Sequence, residues 1–300
     1  MLLVREQSLI EVLCPAKLNL YLEVKGKRPD GYHELETIMQ TISLYDRLLI
    51  QPSGSEGEIR VECDDASIPC DERNTVWRAA AEVRREVRRE TGAKEGLLIR
   101  IQKRIPAGAG LAGGSSDAAG TIAALNLLWE AGLPRERLAE IGARVGSDVP
   151  FFFTAGTALC RGRGELVTPL ERPGAMHFVV AWPGFEIPTR EIFGRLGIDL
   201  TGPRGDDSIS ALTGHLARGE PASAGSRFFN RLQETAEAAY GGLAATRLAL
   251  ARTGLLGVTM TGSGSAFFGL CDRKEVAQEA RRQLMDSGLA YVFACEATRN

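Results

Sequence analysis

At 300 residues the chain is long for a single hydrophobic core and suits two domains. Its 44% apolar and 25% charged residues are ordinary for a globular protein, and a formal net charge of −2 excludes broad electrostatic binding of nucleic acid. No run approaches the roughly 18 apolar residues of a membrane span, and Met1-Leu-Leu-Val is cut short by Arg5 and Glu6, so no signal peptide, no membrane partner and a cytoplasmic location are expected.

In chain order the first signal is an alternation from Val12 to Val24. Ala16, Leu18, Leu20, Leu22 and Val24 share one face, and Lys17, Asn19, Tyr21 and Glu23 share the other. Pro15-Ala-Lys17-Leu-Asn19-Leu thus sets an ammonium and an amide side by side, facing either a site or solvent. After the polar loop Lys25–Gly31, Asp30-Gly31-Tyr32-His33 is a turn signal with two rings that can stack and hydrogen-bond. Strands are predicted at 32–43, 47–51 and 58–62. Asn74 opens a helix to about Glu90, ended by Gly92. Its Arg84-Arg85 and Arg88-Arg89 pairs stand among Glu82, Glu86 and Glu90, which reads as a solvated, salt-bridged face.

A strand at 97–105 feeds Pro106-Ala-Gly108-Ala-Gly110-Leu-Ala-Gly113-Gly114-Ser115-Ser116-Asp117-Ala-Ala-Gly120, where a helix to about 131 begins. Glycines let backbone approach a ligand, and the amides of a helix's first turn favour an anion. The natural guest is a phosphate chain. Gly108-x-Gly110-x-x-Gly113 spells a dinucleotide fingerprint, but the required strand and acid do not follow, because Gly132 and Pro134 start another helix, 134–145. No G-x-x-x-x-G-K-[ST] occurs, which excludes a P-loop.

Short strands are predicted at 151–153, 157–160 and 165–170. Ser147-Asp148-Val149-Pro150 places a carboxylate between a helix end and an apolar run, either beside the glycine loop or as a turn residue. A second unit begins near Pro173, with strand 177–182, a helix from Thr189, a helix at 209–217, a long helical region at about 228–252, strands 257–261 and 265–271, helix 273–286 and strand 290–297. Gly202–Asp207 and Gly219–Gly225 are the loosest linkers. Thr261-Gly262-Ser263-Gly264-Ser265 is either a close approach to an anion or substrate, or a plain hairpin turn. Strands split by helices, with antiparallel hairpins, imply an α+β fold. Cys14, Cys160, Cys271 and Cys295 read as reduced core thiols, and no disulfide is expected between Cys63 and Cys70. Three scattered histidines give no zinc site.

The loop, with Ala112 where glycine or another small residue is usual, resembles the phosphate-binding motif of the GHMP family of small-molecule kinases. Together with Pro15–Leu20, Asp30–His33, Ser147–Pro150, Pro183–Thr189 and Thr261–Gly264, it resembles the branch that phosphorylates a cytidine diphosphate-linked methylerythritol, over nearly the whole chain. The resemblance implies a two-domain GHMP-kinase-like α+β fold. A ribosomal-protein-S5-domain-2-like ATP-binding unit spans 1–172, and a ferredoxin-like unit on the substrate side spans 173–300. It further implies phosphorylation of the substrate's 2-hydroxyl on the non-mevalonate isoprenoid route, with ATP and Mg²⁺ as cofactors and a monomer or weak homodimer.

By position, Lys17 and Asp148 match the catalytic pair, Asp148 as general base. Asn74, Lys103, Pro106, Gly108, Gly110, Leu111, Gly113, Gly114, Ser115 and Ser116 fall on the nucleotide side. Tyr32 and Phe185 match an aromatic pair around cytosine, with His33 as its reader, and Asn19, Thr189, Gly262 and Gly264 fall near the acceptor. Two positions depart from the pattern: Arg231 stands where an acid is frequent, so no catalytic role is expected of its segment, and Met39 stands where an aromatic is common. A homoserine or mevalonate type of the same family would keep the glycine loop but has no reason to hold Asp30–His33 and Phe185 together. An inactive nucleotide-binding regulator has no need of Lys17 and Asp148.

Overall fold

The computed structural model describes residues 1–54, 56–87, 95–154, 156–171, 174–197 and 207–298. The expected helix end at Gly92 with Arg88-Arg89, the boundary at 172–173 and the Gly202–Asp206 stretch of the linker lie outside them.

Among the described residues two sheets carry the fold. The first holds β1 (Leu2–Glu6), β2 (Leu9–Lys27), β3 (His33–Ser53) and β4 (Ile59–Cys63). Helix α1 (Thr75–Val87) leads to β5 (Gly96–Gln102), giving the order β1-β2-β3-β5-β4. Helices α2 (Gly113–Leu128) and α3 (Arg135–Val145) follow, then β6 (Thr157–Gly162) against β3 and β7 (Leu166–Pro169) against β6. The second half supplies β8 (His177–Trp182), α4 (Thr189–Arg195), α5 (Asp207–Arg218), α6 (Pro221–Gly225), β9 (Phe229–Asn230), α7 (Gln233–Ala239), α8 (Leu243–Ala251), β10 (Leu256–Met260), β11 (Phe267–Cys271), α9 (Lys274–Asp286) and β12 (Tyr291–Glu296). Its antiparallel sheet runs β10-β11-β8-β12, the ferredoxin-like arrangement of two strand–helix–strand units.

Strand β2 joins the halves, which is why both its faces are buried. Ile10, Val12 and Cys14 pack with α1, α2 and α3. Ala16, Leu18 and Leu20 pack with Phe178, Val180 and Phe268 of the second sheet. Leu22 and Val24 join Leu232, Leu250 and Leu284. A bulge between Asn19 and Tyr21 shifts the phase of the strand. The cleft-facing residues are therefore Lys17, Asn19 and Leu22, while Tyr21 turns into the core instead of continuing the expected polar face.

Several expected elements differ. Residues 32–43 and 47–51 belong to one strand, whose register jumps where Pro15, lacking an N–H, meets Tyr45. Phe151–Phe153 form a 3₁₀ turn with Pro150, and all three rings are buried, where a strand is expected. The helical region 228–252 is split: β9 pairs with β2, and Gly242, at φ +93°, breaks α7 from α8. Arg84 is not on a solvated face; it is 6% exposed and donates to the carbonyls of Gly57 and Glu95. Arg85 does pair with Glu82 on the exposed face, at 2.6 Å, and Glu82 and Glu86 also pair with Arg144 and Arg137 of α3. All six cysteines are free, and Cys14, Cys160, Cys271 and Cys295 are buried.

Candidate active site

A cleft of about 1270 Å³ lies between the glycine loop, β2, β3 and α4. The loop's conformation follows from its glycines. Gly108 and Gly110 have φ +59° and +78°, and even Ala112 is left-handed at the start of α2. No side chain caps that helix, so its first amides, on Gly113, Gly114 and Ser115, open onto the cleft. Gly110 has no room for a Cβ, which would stand 2.1 Å from the Thr261 carbonyl. The Thr261–Ser265 turn is thus both the β10–β11 connection and a close neighbour of the loop. Ala266 N donates to Ala109 O at 3.1 Å, and Thr261 Oγ1 to Gly110 O at 3.2 Å.

Lys17 is 3% exposed. Its Nζ donates to Asn19 Oδ1 at 2.5 Å and Gly110 O at 2.9 Å, and stands 3.8 Å from Asp148 Oδ2. Burial depresses the Lys17 pKa, and Asp148 opposes the drop. Asn19 is held at both ends of its carboxamide: Oδ1 also accepts from Gly262 N at 2.8 Å, and Nδ2 donates to Thr37 Oγ1 at 2.8 Å. It orients Lys17 while forming part of the wall. Asp148 is partly exposed, and a Cβ on Gly164 would lie 3.3 Å from its Oδ1.

At the nucleotide-side wall, Asn74 Oδ1 accepts from Val76 N at 2.8 Å and Nδ2 donates to Pro69 O at 2.7 Å, starting α1. Lys103 reaches the lining, but its ammonium is held by Asp46 Oδ2 at 2.5 Å and Asp117 Oδ2 at 3.1 Å. Asp46 Oδ1 also accepts from the backbone N–H groups of Arg104 and Ile105. Burial disfavours the Lys103 charge, yet Asp117 and Asp46 raise its pKa overall. Burial pushes Asp117 up to about 7, Lys103 pulling back and Asp46 pushing further.

At the opposite end Tyr32 is 54% exposed, with the Arg163 guanidinium 4.8 Å from its ring centroid. The His33 ring lies 4.9 Å from Phe193 at 31°. Burial lowers the His33 pKa, with Lys27 adding to the effect. Pro106, Gly108, Thr189 and Gly262 line the cleft as well.

Four expected site residues do not line it. Leu111 is fully buried and contributes its carbonyl to Lys17 N at 3.0 Å. Ser116 is fully buried, its hydroxyl without a hydrogen-bond partner. Gly264 holds the turn through its N–H to Thr261 O. Phe185 stacks on Tyr240, 6.2 Å away at 22°, and its carbonyl accepts from Trp182 and Ser265. Sequence reasoning missed Arg163, Arg190, Phe193 and Asp117, all in the lining. Helical spacing held a signal for one of them: Phe193 stands four positions after Thr189, on the same face of α4.

Comparison with known proteins bears on this geometry. The model of the GHMP kinases N-terminal domain matches residues 74–156, and that of the GHMP kinases C-terminal region matches 211–288. A 4-diphosphocytidyl-2-C-methyl-D-erythritol kinase from Geobacillus thermodenitrificans is 38% identical over 93% of this chain and 92% of its own. The chain belongs to the GHMP kinase family. A kinase of the same name from Symbiobacterium thermophilum is 40% identical over 89% of this chain and 92% of its own. A crystal structure of 4-(cytidine 5'-diphospho)-2C-methyl-D-erythritol kinase superposes at TM-score 0.79 and 35% identity, covering 96% of this chain and 99% of that one. Homoserine kinase from Cytophaga hutchinsonii, 19% identical, superposes at TM-score 0.76 over 100% of this chain and 98% of its own, which speaks to the shared fold. As a GHMP kinase the chain is a phosphotransferase with ATP as phosphoryl donor. Among the described residues no helix is long and apolar enough to cross a membrane.

Proposed function

We propose that this kinase transfers the γ-phosphoryl group of ATP to the 2-hydroxyl of 4-diphosphocytidyl-2-C-methyl-D-erythritol, giving the 2-phosphate and ADP on the non-mevalonate route to isoprenoid precursors. The observation that carries the reading is the Lys17 ammonium 3.8 Å from the Asp148 carboxylate, in one cleft with an uncapped helix N-terminus and an aromatic end. Asp148 accepts the hydroxyl proton while the oxygen bonds to the γ-phosphorus. The bond to the β–γ bridging oxygen breaks, and its electron pair leaves on ADP. Lys17 stands beside the carboxylate and offsets charge on the moving group. The loop and first-turn amides hold the phosphates. Tyr32 and Phe193, rather than Phe185, wall the cytosine slot, and His33, held against Phe193, reads the base.

Among the described residues no group of three or more His, Cys, Asp or Glu is placed to hold a metal. The donors present suit Mg²⁺ carried by the nucleotide, which takes one or two protein oxygens and otherwise phosphate and water. The Ser115 hydroxyl lines the cleft for that role, whereas Ser116 does not. Bound there, Mg²⁺ supplies neutralisation of phosphate charge. The chain divides into an ATP-binding unit, 1–172, and a substrate-side unit, 173–300. Support for that division comes from the two sheets and the two family matches.

The test is ADP release with the cytidylated substrate, homoserine and mevalonate offered separately. Turnover of the first alone is expected, since neither competitor has a ring for the aromatic end. Preferential turnover of homoserine or mevalonate overturns the assignment, and ATP binding without turnover of any acceptor supports a regulator.

A further inference from the structure

Asn230 lies on β9, beside the residue that departs from the family pattern, and it is 5% exposed. Its Nδ2 donates to both Met260 O and Gly262 O at 2.8 Å, and its Oδ1 accepts from Leu232 N at 2.9 Å. The turn it grips reaches the reacting groups. Gly262 N donates to Asn19 Oδ1 at 2.8 Å, Asn19 N donates to Thr261 Oγ1 at 3.1 Å, and Lys17 Nζ donates to Asn19 Oδ1 at 2.5 Å. Arg231 fixes the same segment to β2. Its Nε and Nη2 bond Glu23 Oε1 and Oε2 at 2.7 and 2.8 Å, and its N–H donates to Leu22 O at 2.9 Å. Glu23 is fully buried, six positions along the strand from Lys17.

We propose that Asn230 is a positioning residue for phosphoryl transfer, acting through the Thr261–Gly262 turn and Asn19 to hold the Lys17 ammonium against Asp148, with Glu23–Arg231 anchoring it to β2. The inference rests on the kinase reading above. Two carbonyl acceptors and one N–H donor converge on this side chain, and a short carboxamide answers all three. Alanine leaves buried carbonyls unpaired, and aspartate turns an oxygen toward them. Either lets the turn, and with it the lysine, move by tenths of an ångström, on which a transfer step is sensitive.

Asn230→Ala is expected to lower kcat by about 10- to 100-fold. The KM values for ATP and acceptor should change far less, because the residue touches neither. In a Lys17→Met background the same substitution should change the residual rate by less than about 2-fold, since its effect runs through Lys17. A merely structural asparagine would shift the unfolding midpoint without that non-additivity. Asn230→Asp keeps the shape and the Leu232 bond, and it serves as the variant if alanine does not fold. Wild-type kcat in the folded variant, or a full further loss in the Lys17→Met background, overturns this inference alone. A wild-type protein that turns over no cytidylated acceptor overturns the kinase reading and this inference with it.

Discussion

Asp148 lines the cleft 3.8 Å from Lys17, and its chemistry can be isolated by a change of one atom. Asp148→Asn keeps shape and removes the proton acceptor. Loss of a positioned base costs about 10²–10⁴-fold in rate, and kcat is expected to fall by that amount. ATP affinity, measured by calorimetry, should change little, because the phosphate cradle is made of backbone amides. An Asn variant with near-normal kcat would take Asp148 out of the mechanism. The two phenylalanines near α4 offer a second test. Phe193 faces the cleft against His33, whereas Phe185 stacks on Tyr240 outside it. Phe193→Ala is expected to raise the acceptor KM about 10-fold or more, as loss of a stacking face is worth roughly 1–3 kcal/mol per base. ATP KM should hold, and Phe185→Ala should mainly lower the unfolding midpoint. The reverse ranking of the two variants would restore Phe185 to the slot. Phe185 sits in the Pro183–Thr189 motif and Phe193 eight residues further on, on the face of α4 that carries Thr189, and nothing in the motif itself says that Phe185 turns away from the cleft. That choice is made by where α4 docks.

At the scale of elements, the glycine loop and the Thr261–Ser265 turn fit together as backbone against backbone. Gly110→Ala would drive a Cβ to 2.1 Å from the Thr261 carbonyl at a residue with φ +78°. Gly132→Ala is the control, because Gly132 has φ +63° with open space around it. The control should lose about 1–2 kcal/mol for the left-handed conformation. Gly110→Ala should lose clearly more and raise the ATP KM, as read by urea unfolding and steady-state kinetics. Equal losses would mean that the turn yields and the close fit is unimportant. The loop, α2 and the strand before it were legible because their signals are local: glycine spacing, an apolar run, a hydroxyl pair. The bulge at Leu20 was not, since it arises from pairing with β3, and it decides that Leu22 rather than Tyr21 faces the cleft. The 3₁₀ turn at Pro150–Phe153 escaped for a related reason. Three adjacent apolar rings read as a strand, and it is their packing in one core with residues of α2 and α3 that accompanies the turn.

Over the whole molecule, Asp46, Lys103 and Asp117 tie β3, the end of β5 and α2 into one buried knot beneath the phosphate cradle. A Cβ on Gly113 would lie 3.1 Å from both Asp46 Oδ2 and Lys103 Nζ. The knot carries two carboxyls for one ammonium, and Asp117 Oδ1 has no hydrogen-bond partner. Burial, with Asp46 adding and Lys103 opposing, raises Asp117 from the ordinary 3.8 to about 7. Between those values the folded chain holds a proton that the unfolded chain has released. The folded state binds more protons there, so this group's contribution to stability is full below the unfolded value and is lost as pH rises through about 7. A whole-proton difference changes stability by about 1.4 kcal/mol per pH unit. Asp117→Asn keeps a neutral side chain of the same shape and removes the titration. Urea unfolding of both proteins at pH 5, 6, 7 and 8 should therefore show wild type losing ground to the variant across the series, with Asn the more stable at pH 8. The same ionisation places a net negative charge under the amides that hold the phosphates. ATP affinity of the wild type should accordingly weaken from pH 6 to 8 more than that of Asp117→Asn. Parallel pH dependences of stability in the two proteins would show that Asp117 is ionised throughout.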